Sequence, residues 1–155
     1  MTKYYAGIGS RKTPRQVLEC MTSIANRFER HGWILRSGGA AGADSAFSDG
    51  TSLSEIFLAD DPIPMWAEVF VDYFHPAPHK LQEFPRRLMA RNALQILGKD
   101  GNTPVDCVIC WTPDGKASGG TGQAIRIADY YGIKVHNLHD PLVWRRFSVE
   151  KRPNG

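Results

Sequence analysis

The sequence lacks the features that mark membrane, secreted and strongly charged proteins. No apolar run approaches the ~18 residues that span a bilayer, and residues 1–14 have no signal-peptide layout. The net charge is only +3, and the basic residues form no dense block of the kind that a charge-driven nucleic-acid binder carries. We therefore expect a cytoplasmic protein that has no contact with a membrane.

Cysteine is also scarce, and the positions of the cysteines indicate buried core residues and not a metal or redox site. The chain has three cysteines, and Cys107 and Cys110 have CxxC spacing inside an apolar run. No second Cys or His pair lies near them, and a buried free cysteine behaves as a small hydrophobic residue. The histidines considered as metal ligands lack the spacing of a zinc site; they are His75, His79, His136 and His139. We expect no metal and no cofactor.

Two nucleotide-binding fingerprints are absent. The chain contains no GxxxxGK[ST] sequence, which argues against a Walker-type triphosphatase. The stretch GGAAGAD only approximates the dinucleotide pattern GxGxxG, and it follows the second predicted strand instead of the first. We therefore do not expect a redox enzyme that uses a dinucleotide.

What is present is the composition and pattern of one α/β domain. The chain has 155 residues, of which 42% are hydrophobic and 23% charged, as in ordinary soluble domains with a core of their own. Apolar runs that stop at glycine alternate with segments of helical period, and this alternation predicts a parallel sheet with helices on both faces. We predict a Rossmann-like three-layer sandwich with a mainly parallel sheet of about five strands. The domain spans residues 1–148, and residues 149–155 are expected to form a flexible tail.

The elements follow from the same patterns. The predicted strands are 3–8, 33–39, 54–59, 104–113 and 133–138. The predicted helices are 14–31, 41–50, 81–98, 120–131 and 140–148. Residues 60–80 contain four prolines, and for these we predict an irregular connection with room for a short strand.

Three predicted strands end in small or glycine-rich sequence, and a helix follows each. The stretches are GIGSR, SGGAAGAD and TPDGKASGGTGQ. Because ligands of parallel α/β sheets bind beyond the carboxyl ends of the strands, these stretches are expected to share one edge. Helix amino termini offer free N–H groups, and glycine lets an anion approach the backbone. We expect a phosphate site there, with a glycine-specific backbone conformation at Gly120; single turns of this kind also occur for steric reasons alone.

Taken in order, GIGSR, RSGGAAGAD, RRLMARN and SGGTGQA resemble the SLOG superfamily. This Rossmann-like group contains DNA-processing protein A and the LOG ("lonely guy") nucleotide hydrolases. The likeness spans roughly residues 4–138 and is closest to small stand-alone members of phage or bacterial origin. It implies a nucleotide or nucleic-acid phosphate site and a homodimer or larger homo-oligomer. The positions that match its motifs, and that we expect to bind ligand, are Gly9, Ser10, Arg11, Gly38, Gly39, Gly42, Asp44, Arg91, Asn92, Ser118, Gly119, Gly120, Thr121, Gly122 and Gln123.

Three charged side chains have physical roles of their own. Arg11 and Arg91 carry the forked donors that suit phosphate oxygens. Asp44 repels phosphate, so it is better suited to accepting a hydrogen bond from a ribose hydroxyl. The alternatives are a solvated Arg11, an Arg91 on the helix surface beside a local carboxylate, and an Asp44 that only caps its helix.

Catalysis is the open question. In the LOG hydrolases the loop reads PGGxGTxxE, and the position of its glutamate is held here by Arg126. Cleavage of a glycosidic bond needs a carboxylate near the anomeric carbon, so this replacement argues against that reaction, although Asp44 and Asp129 offer other carboxylates. We favour a protein that senses or sequesters a nucleotide. A single-stranded DNA-binding module is the alternative, with Trp66 and Trp111 as candidate stacking surfaces.

Overall fold

Five short strands form one parallel sheet in the computed structural model, which describes residues 1–148. The strands are β1 (Tyr4–Gly7), β2 (Ile34–Gly38), β3 (Ser54–Phe57), β4 (Cys107–Cys110) and β5 (Lys134–Asn137). Their order across the sheet is β3-β2-β1-β4-β5, and every neighbouring pair is parallel. This confirms the predicted Rossmann-like sandwich. The predicted tail, residues 149–155, lies outside the described residues.

Helices cover both faces of the sheet. They are α1 (Arg15–Arg30), α2 (Ala43–Asp49), α3 (Met65–Phe74), α4 (Glu83–Leu97), α5 (Gly119–Tyr130) and α6 (Pro141–Ser148). One face packs against α1, α2 and α6, and the other packs against α4 and α5, with α3 lying on those two helices. None of the described helices is long and apolar enough to cross a membrane.

Side chains alternate between the two faces of the sheet, so the buried residues form two core layers. Tyr5, Leu35 and Ile109 belong to the core under α1, α2 and α6, whereas Ala6 and Val108 belong to the core under α4 and α5. All five side chains are fully buried. Because successive residues of a strand point to opposite faces, the near-continuous apolar runs of the sequence serve both layers at once.

The region between β3 and α4 differs from its prediction. Residues 60–80 contain the helix α3 and a short 3-10 helix, Pro78–Lys80, and no strand. The prolines flank α3 instead of interrupting it: Pro64 is in the cap position before its first turn, and Pro76 follows its end. Proline is compatible with both places. Aromatic residues on most sides of α3 hid its helical period, which is visible only in buried Ala67 and Val71.

The cysteine pair lies inside the sheet, as predicted. Cys107 packs in the core beneath α1 and α6, and Cys110 packs in the core beneath α5. A CxxC spacing places its thiols on one side of a helix, but in a strand positions i and i+3 face opposite sides. The two thiols therefore cannot share a metal ion or form a disulfide. Burial raises the pKa of each thiol to about 12, which keeps both unreactive.

Candidate functional site

Three loops lie side by side at the carboxyl edge of the sheet. Loop 1 spans residues 8–14, loop 2 spans residues 39–42 and loop 3 spans residues 111–118. The Ser10 N–H donates to the Trp111 carbonyl oxygen at 3.2 Å, which joins loop 1 to loop 3. The Ser37 hydroxyl, at the end of β2, donates to the Gly7 carbonyl at the end of β1. The edge also includes the switch point between β1 and β4, where open α/β sheets bind ligands.

Loop 1 is a tight turn that exposes a cation. Ser10 holds it, because its carbonyl accepts from the Thr13 N–H at 3.1 Å and its hydroxyl oxygen accepts from the Lys12 N–H at 3.0 Å. Gly9 has no side chain because a Cβ there would lie 2.7 Å from the Ala43 Cβ on α2. Arg11 is exposed and makes no hydrogen bond or ion pair within the described residues. Its guanidinium is therefore available to an anion.

Loop 2 uses its glycines for close approach. Gly42 has a φ of +93°, which strongly favours glycine, and it occupies the cap position of α2. Gly39 leaves room for the Leu58 side chain. A Cβ at Gly38 would lie 2.6 Å from Arg91 Cζ and 2.7 Å from Asp44 Oδ2. The missing side chain at Gly38 thus makes room for two opposite charges.

Asp44 and Arg91 form a buried but loosely matched ion pair. Arg91 Nη2 lies 3.6 Å from Asp44 Oδ2, and their side chains are only 12% and 6% exposed. Asp44 Oδ2 also accepts from the Ala40 N–H at 3.2 Å, so the carboxylate stabilises loop 2 and does not cap α2, whose cap position is Gly42. Arg91 Nε is buried and has no hydrogen-bond partner among the described residues. Arg91 is therefore neither a surface residue nor a fully paired one.

Burial outweighs attraction for both partners of this pair. Burial raises the pKa of the Asp44 carboxyl above its ordinary value, although the Arg91 guanidinium opposes the rise. Burial likewise lowers the pKa of Arg91, and Asp44 opposes the decrease. A buried pair repays its desolvation only when its geometry is excellent and its remaining donors are satisfied. Neither condition is met here.

Helix α4 connects loop 2 to the start of α5 through two consecutive residues. Arg91 faces Asp44, and the Asn92 amide donates to the Gly120 carbonyl oxygen at 2.8 Å. The amide of Asn92, which was predicted to contact ligand, thus positions the first turn of α5. Helix α4 therefore contacts both the ion pair and the first turn of α5.

Loop 3 leads into α5 and leaves its first donors free. Asp114 organises the loop by accepting from the Lys116 N–H at 2.9 Å and from the Ser118 hydroxyl at 2.8 Å. These two bonds hold the pKa of Asp114 below its usual range. The N–H groups of Gly119, Gly120 and Thr121 have no acceptor among the described residues, as is usual for the first turn of a helix. They form a potential anion cradle.

The glycines of this turn differ in their requirements. Gly119 has a φ of +62°, and Gly120 does not lie in the left-handed region, so the conformation predicted for Gly120 is found one residue earlier. A Cβ at Gly120 would meet only Met89 Cε, at 3.6 Å. A Cβ at Gly122 would lie 2.6 Å from the Ala117 carbonyl. Gly122 is thus needed for packing within the loop, whereas Gly120 borders open space.

Two polar residues of α5 serve packing instead of the loops. Gln123, predicted to bind ligand, is fully buried; its amide donates to the Phe70 carbonyl oxygen at 3.3 Å. Arg126 donates from Nε to the Phe74 carbonyl oxygen at 2.9 Å and from Nη2 to Gln123 Oε1 at 2.9 Å. Thr121, which was also predicted to bind ligand, is buried as well, with only 8% of its surface exposed. Arg126 therefore links α5 to α3, and a glutamate at its place would face carbonyl oxygens.

The remaining candidates lie apart from the loops. Asp129 lines a cavity of about 300 Å³ together with Asn137 and Asp140, whereas Asp44 is paired with Arg91, so the two carboxylates are not brought together. The ring of Trp66 packs against Gly101, in the loop before β4 at the opposite edge of the sheet. The described residues contain no group of His, Cys, Asp and Glu that could hold a metal ion.

Comparison of the chain with protein-family models, with curated proteins and with solved structures finds no match. The resemblance to the SLOG superfamily therefore stands on the four motifs and their order alone. Sequence reasoning missed Ser37, Asp114 and the packing role of Arg126. Only Asp114 had a local signal, because Asp followed by Gly is a common turn sequence.

Proposed function

We propose that this protein binds a nucleotide, or a ligand derived from one, at the carboxyl edge of its sheet and acts as a sensor or sequestering protein. The observation that supports this most is the free first turn of α5, which follows loop 3 at the carboxyl edge of the sheet. The N–H groups of Gly119, Gly120 and Thr121 are unpaired within the described residues, and a helix amino terminus favours an anion.

The charges around this turn favour the same ligand. Arg11 and Lys12 on loop 1 and Lys116 on loop 3 are exposed. Arg11 offers two parallel donors to a phosphate. The carboxylate of Asp114 is occupied by loop 3 itself. A phosphate group therefore meets cations and N–H donors at the rim of the site.

A binding function is favoured over hydrolysis of the LOG type. The residue at the glutamate position is Arg126, and its guanidinium is bonded to Phe74 and Gln123. Asp44 is the carboxylate nearest to loop 2, and its partner is an arginine. Among residues 1–148, no second carboxylate interacts with Asp44, as an acid and base pair for glycoside cleavage would need.

The experiment is a comparison of Gly120→Val with wild type. A valine here meets only Met89, so we expect the free energy of unfolding to change by no more than about 1 kcal/mol. Its branched side chain covers the N–H groups, so binding of AMP, GMP, CMP and UMP should be lost. Calorimetric titration measures binding, and urea denaturation measures stability. Asn26→Val, on the exposed side of α1, controls for a branched residue in a helix.

An unchanged affinity in folded Gly120→Val would contradict the phosphate site. Tighter binding of a single-stranded oligodeoxynucleotide than of any monophosphate would favour the DNA-binding alternative. Release of ribose 5-phosphate by the wild type, followed by chromatography, would show an enzyme.

We also propose that the protein forms a homodimer or larger homo-oligomer through α3. Met65, Val69 and Tyr73 recur at helical spacing on its outer side and are 79%, 54% and 67% exposed. The ring of Tyr130, from α5, lies 5.9 Å from that of Tyr73. Exposed aromatic residues and methionine are typical of interface centres. Light scattering of wild type and Val69→Asp tests this, since an unchanged mass in the variant would contradict it.

A further inference from the structure

The pair of Asp44 and Arg91 is costly to the fold, and the bond from loop 2 to Asp44 does not account for the arginine. The two atoms nearest each other are 3.6 Å apart, and Arg91 Nε has no partner among the described residues. Removing a charged donor from water without a hydrogen bond is costly. Two apolar side chains of similar size would fill the space beside Gly38 without this cost. The pair is therefore better explained by a ligand than by folding.

The position of the pair restricts what that ligand is. Arg91 precedes Asn92, whose amide holds the Gly120 carbonyl at the start of α5. Helix α4 thus contacts both the carboxylate of Asp44 and the first turn of α5, whose free N–H groups suit a phosphate. Being negative, Asp44 cannot accept the phosphate itself; it accepts hydrogen bonds from neutral donors. The carboxyl edge of the sheet therefore carries donors for an anion and also an acceptor for hydroxyl groups.

We propose that Asp44 accepts a hydrogen bond from a ribose hydroxyl and makes this site select ribonucleotides over deoxyribonucleotides. The inference depends on the nucleotide-binding function proposed above. A sugar with a 5′-phosphate carries an anion and hydroxyl donors within one ring's length. The 2′-hydroxyl is the donor that a deoxyribonucleotide lacks, and it is the group by which proteins distinguish the two.

Arg91 is the positioning residue in this arrangement. It lies against the carboxylate from the side of α4 and keeps a compensating charge beside it when water is excluded. Because a hydrogen bond to a charged group contributes about 1.5 to 3 kcal/mol, a ligand without the hydroxyl should bind roughly 10-fold to 100-fold more weakly.

The test is a calorimetric titration with AMP, GMP, CMP, UMP and their 2′-deoxy counterparts. Wild type should bind the ribonucleotide of at least one pair 10-fold or more tightly than its deoxy form. Asp44→Asn keeps the size of the side chain and removes its charge, so it should bind both forms with the weaker affinity. Asp49→Asn, a change to an exposed carboxylate on the same helix, should keep the wild-type preference.

The outcomes separate this inference from the function on which it rests. Equal binding of each ribose and deoxyribose pair by wild type overturns ribose selection and leaves nucleotide binding intact. A preference that persists in Asp44→Asn overturns the role of Asp44. Failure of all eight nucleotides to bind overturns both proposals. If Asp44→Asn does not fold, the wild-type comparison still decides ribose selection, and Gly38→Ala, which displaces the same carboxylate, should lose the preference if Asp44 sets it.

Discussion

Among the described residues, buried Arg36 and the mostly buried Arg91 are each paired with a carboxylate, and they differ in how many of their N–H donors have partners. Arg36, on β2, has a side chain only 3% exposed. Its Nε donates to Glu55 Oε1 at 2.8 Å, its Nη1 donates to the Thr103 carbonyl oxygen, and its guanidinium lies 4.0 Å from the centre of the Tyr4 ring. Arg91, at the loops, lies 3.6 Å from its partner and leaves Nε unpaired.

The difference supports the proposal that Arg36 serves the fold and that Arg91 serves a ligand. Arg36 lines a cavity of about 410 Å³, yet its hydrogen bonds are made to the protein. Glu55 is 44% exposed, so only one member of that pair is desolvated. At the loops both members are buried. A cavity by itself is thus a weaker indication of a site than a pair of charges whose hydrogen bonds are incomplete.

The largest expected effect comes from removing the well-paired arginine. Arg36→Ala should lower the free energy of unfolding by about 3 kcal/mol, through lost hydrogen bonds and lost packing on Tyr4. Nucleotide affinity of the folded fraction should not change. Urea denaturation and calorimetry measure the two quantities. Arg30→Ala, at an exposed residue of α1, is the control. Equal stability of the two variants would contradict a stabilising role of Arg36 in the fold.

Replacing the loosely matched pair of Asp44 and Arg91 should change the free energy of unfolding in the opposite direction. Asp44→Leu combined with Arg91→Met removes two buried charges and keeps their volume. The free energy of unfolding should stay constant or rise by about 1 to 2 kcal/mol, while ribonucleotide binding weakens by roughly 10-fold or more. A decrease in stability as large as that of Arg36→Ala would show that the fold depends on both pairs alike.

Each arginine has a glycine beside it, and the two glycines offer a smaller test. A Cβ at Gly38 would lie 2.6 Å from Arg91 Cζ, and a Cβ at Gly98, where φ is +80°, would lie 3.0 Å from Arg36 Nη2. Each change to alanine should lower stability by about 1 kcal/mol. Only Gly38→Ala should weaken nucleotide binding, because it displaces the pair at the loops. Weakened nucleotide binding in Gly98→Ala would contradict the assignment of Arg36 to the fold and of Arg91 to the ligand.

The smallest effect is a pH dependence specific to Asp44. Its pKa is raised in the folded protein, so the folded state holds the proton more strongly than the unfolded state does. Stability from this group is present at low pH and is lost as pH rises from the ordinary value of 3.8 through the folded pKa. Asp44→Asn removes this change. As the pH rises above 3.8, the unfolding free energy of Asp44→Asn should therefore increase relative to that of wild type; a relative decrease would contradict the raised pKa.

Much of the architecture was predictable because local patterns and tertiary packing agree. The five strands and most helices follow from apolar runs, helical period and glycine, and α3 was missed because aromatic residues cover most of its sides. The loops were predictable for a similar reason, since the carboxyl ends of parallel strands share one edge. The individual roles of Asn92 and Gln123 were not, because each depends on a contact with a distant element.

The sequence by itself determined the parallel sheet, the buried thiols and the presence of three glycine-rich loops at one edge, because each depends on residue type and period within a few positions. Only the tertiary structure decided that Asp44 meets Arg91 and that Arg126 binds the end of α3. These pairs join residues 47 and 52 positions apart. A side chain's partner at such separation is set by how helices pack across a sheet. That packing is a property of the whole core and has no local signal in the chain.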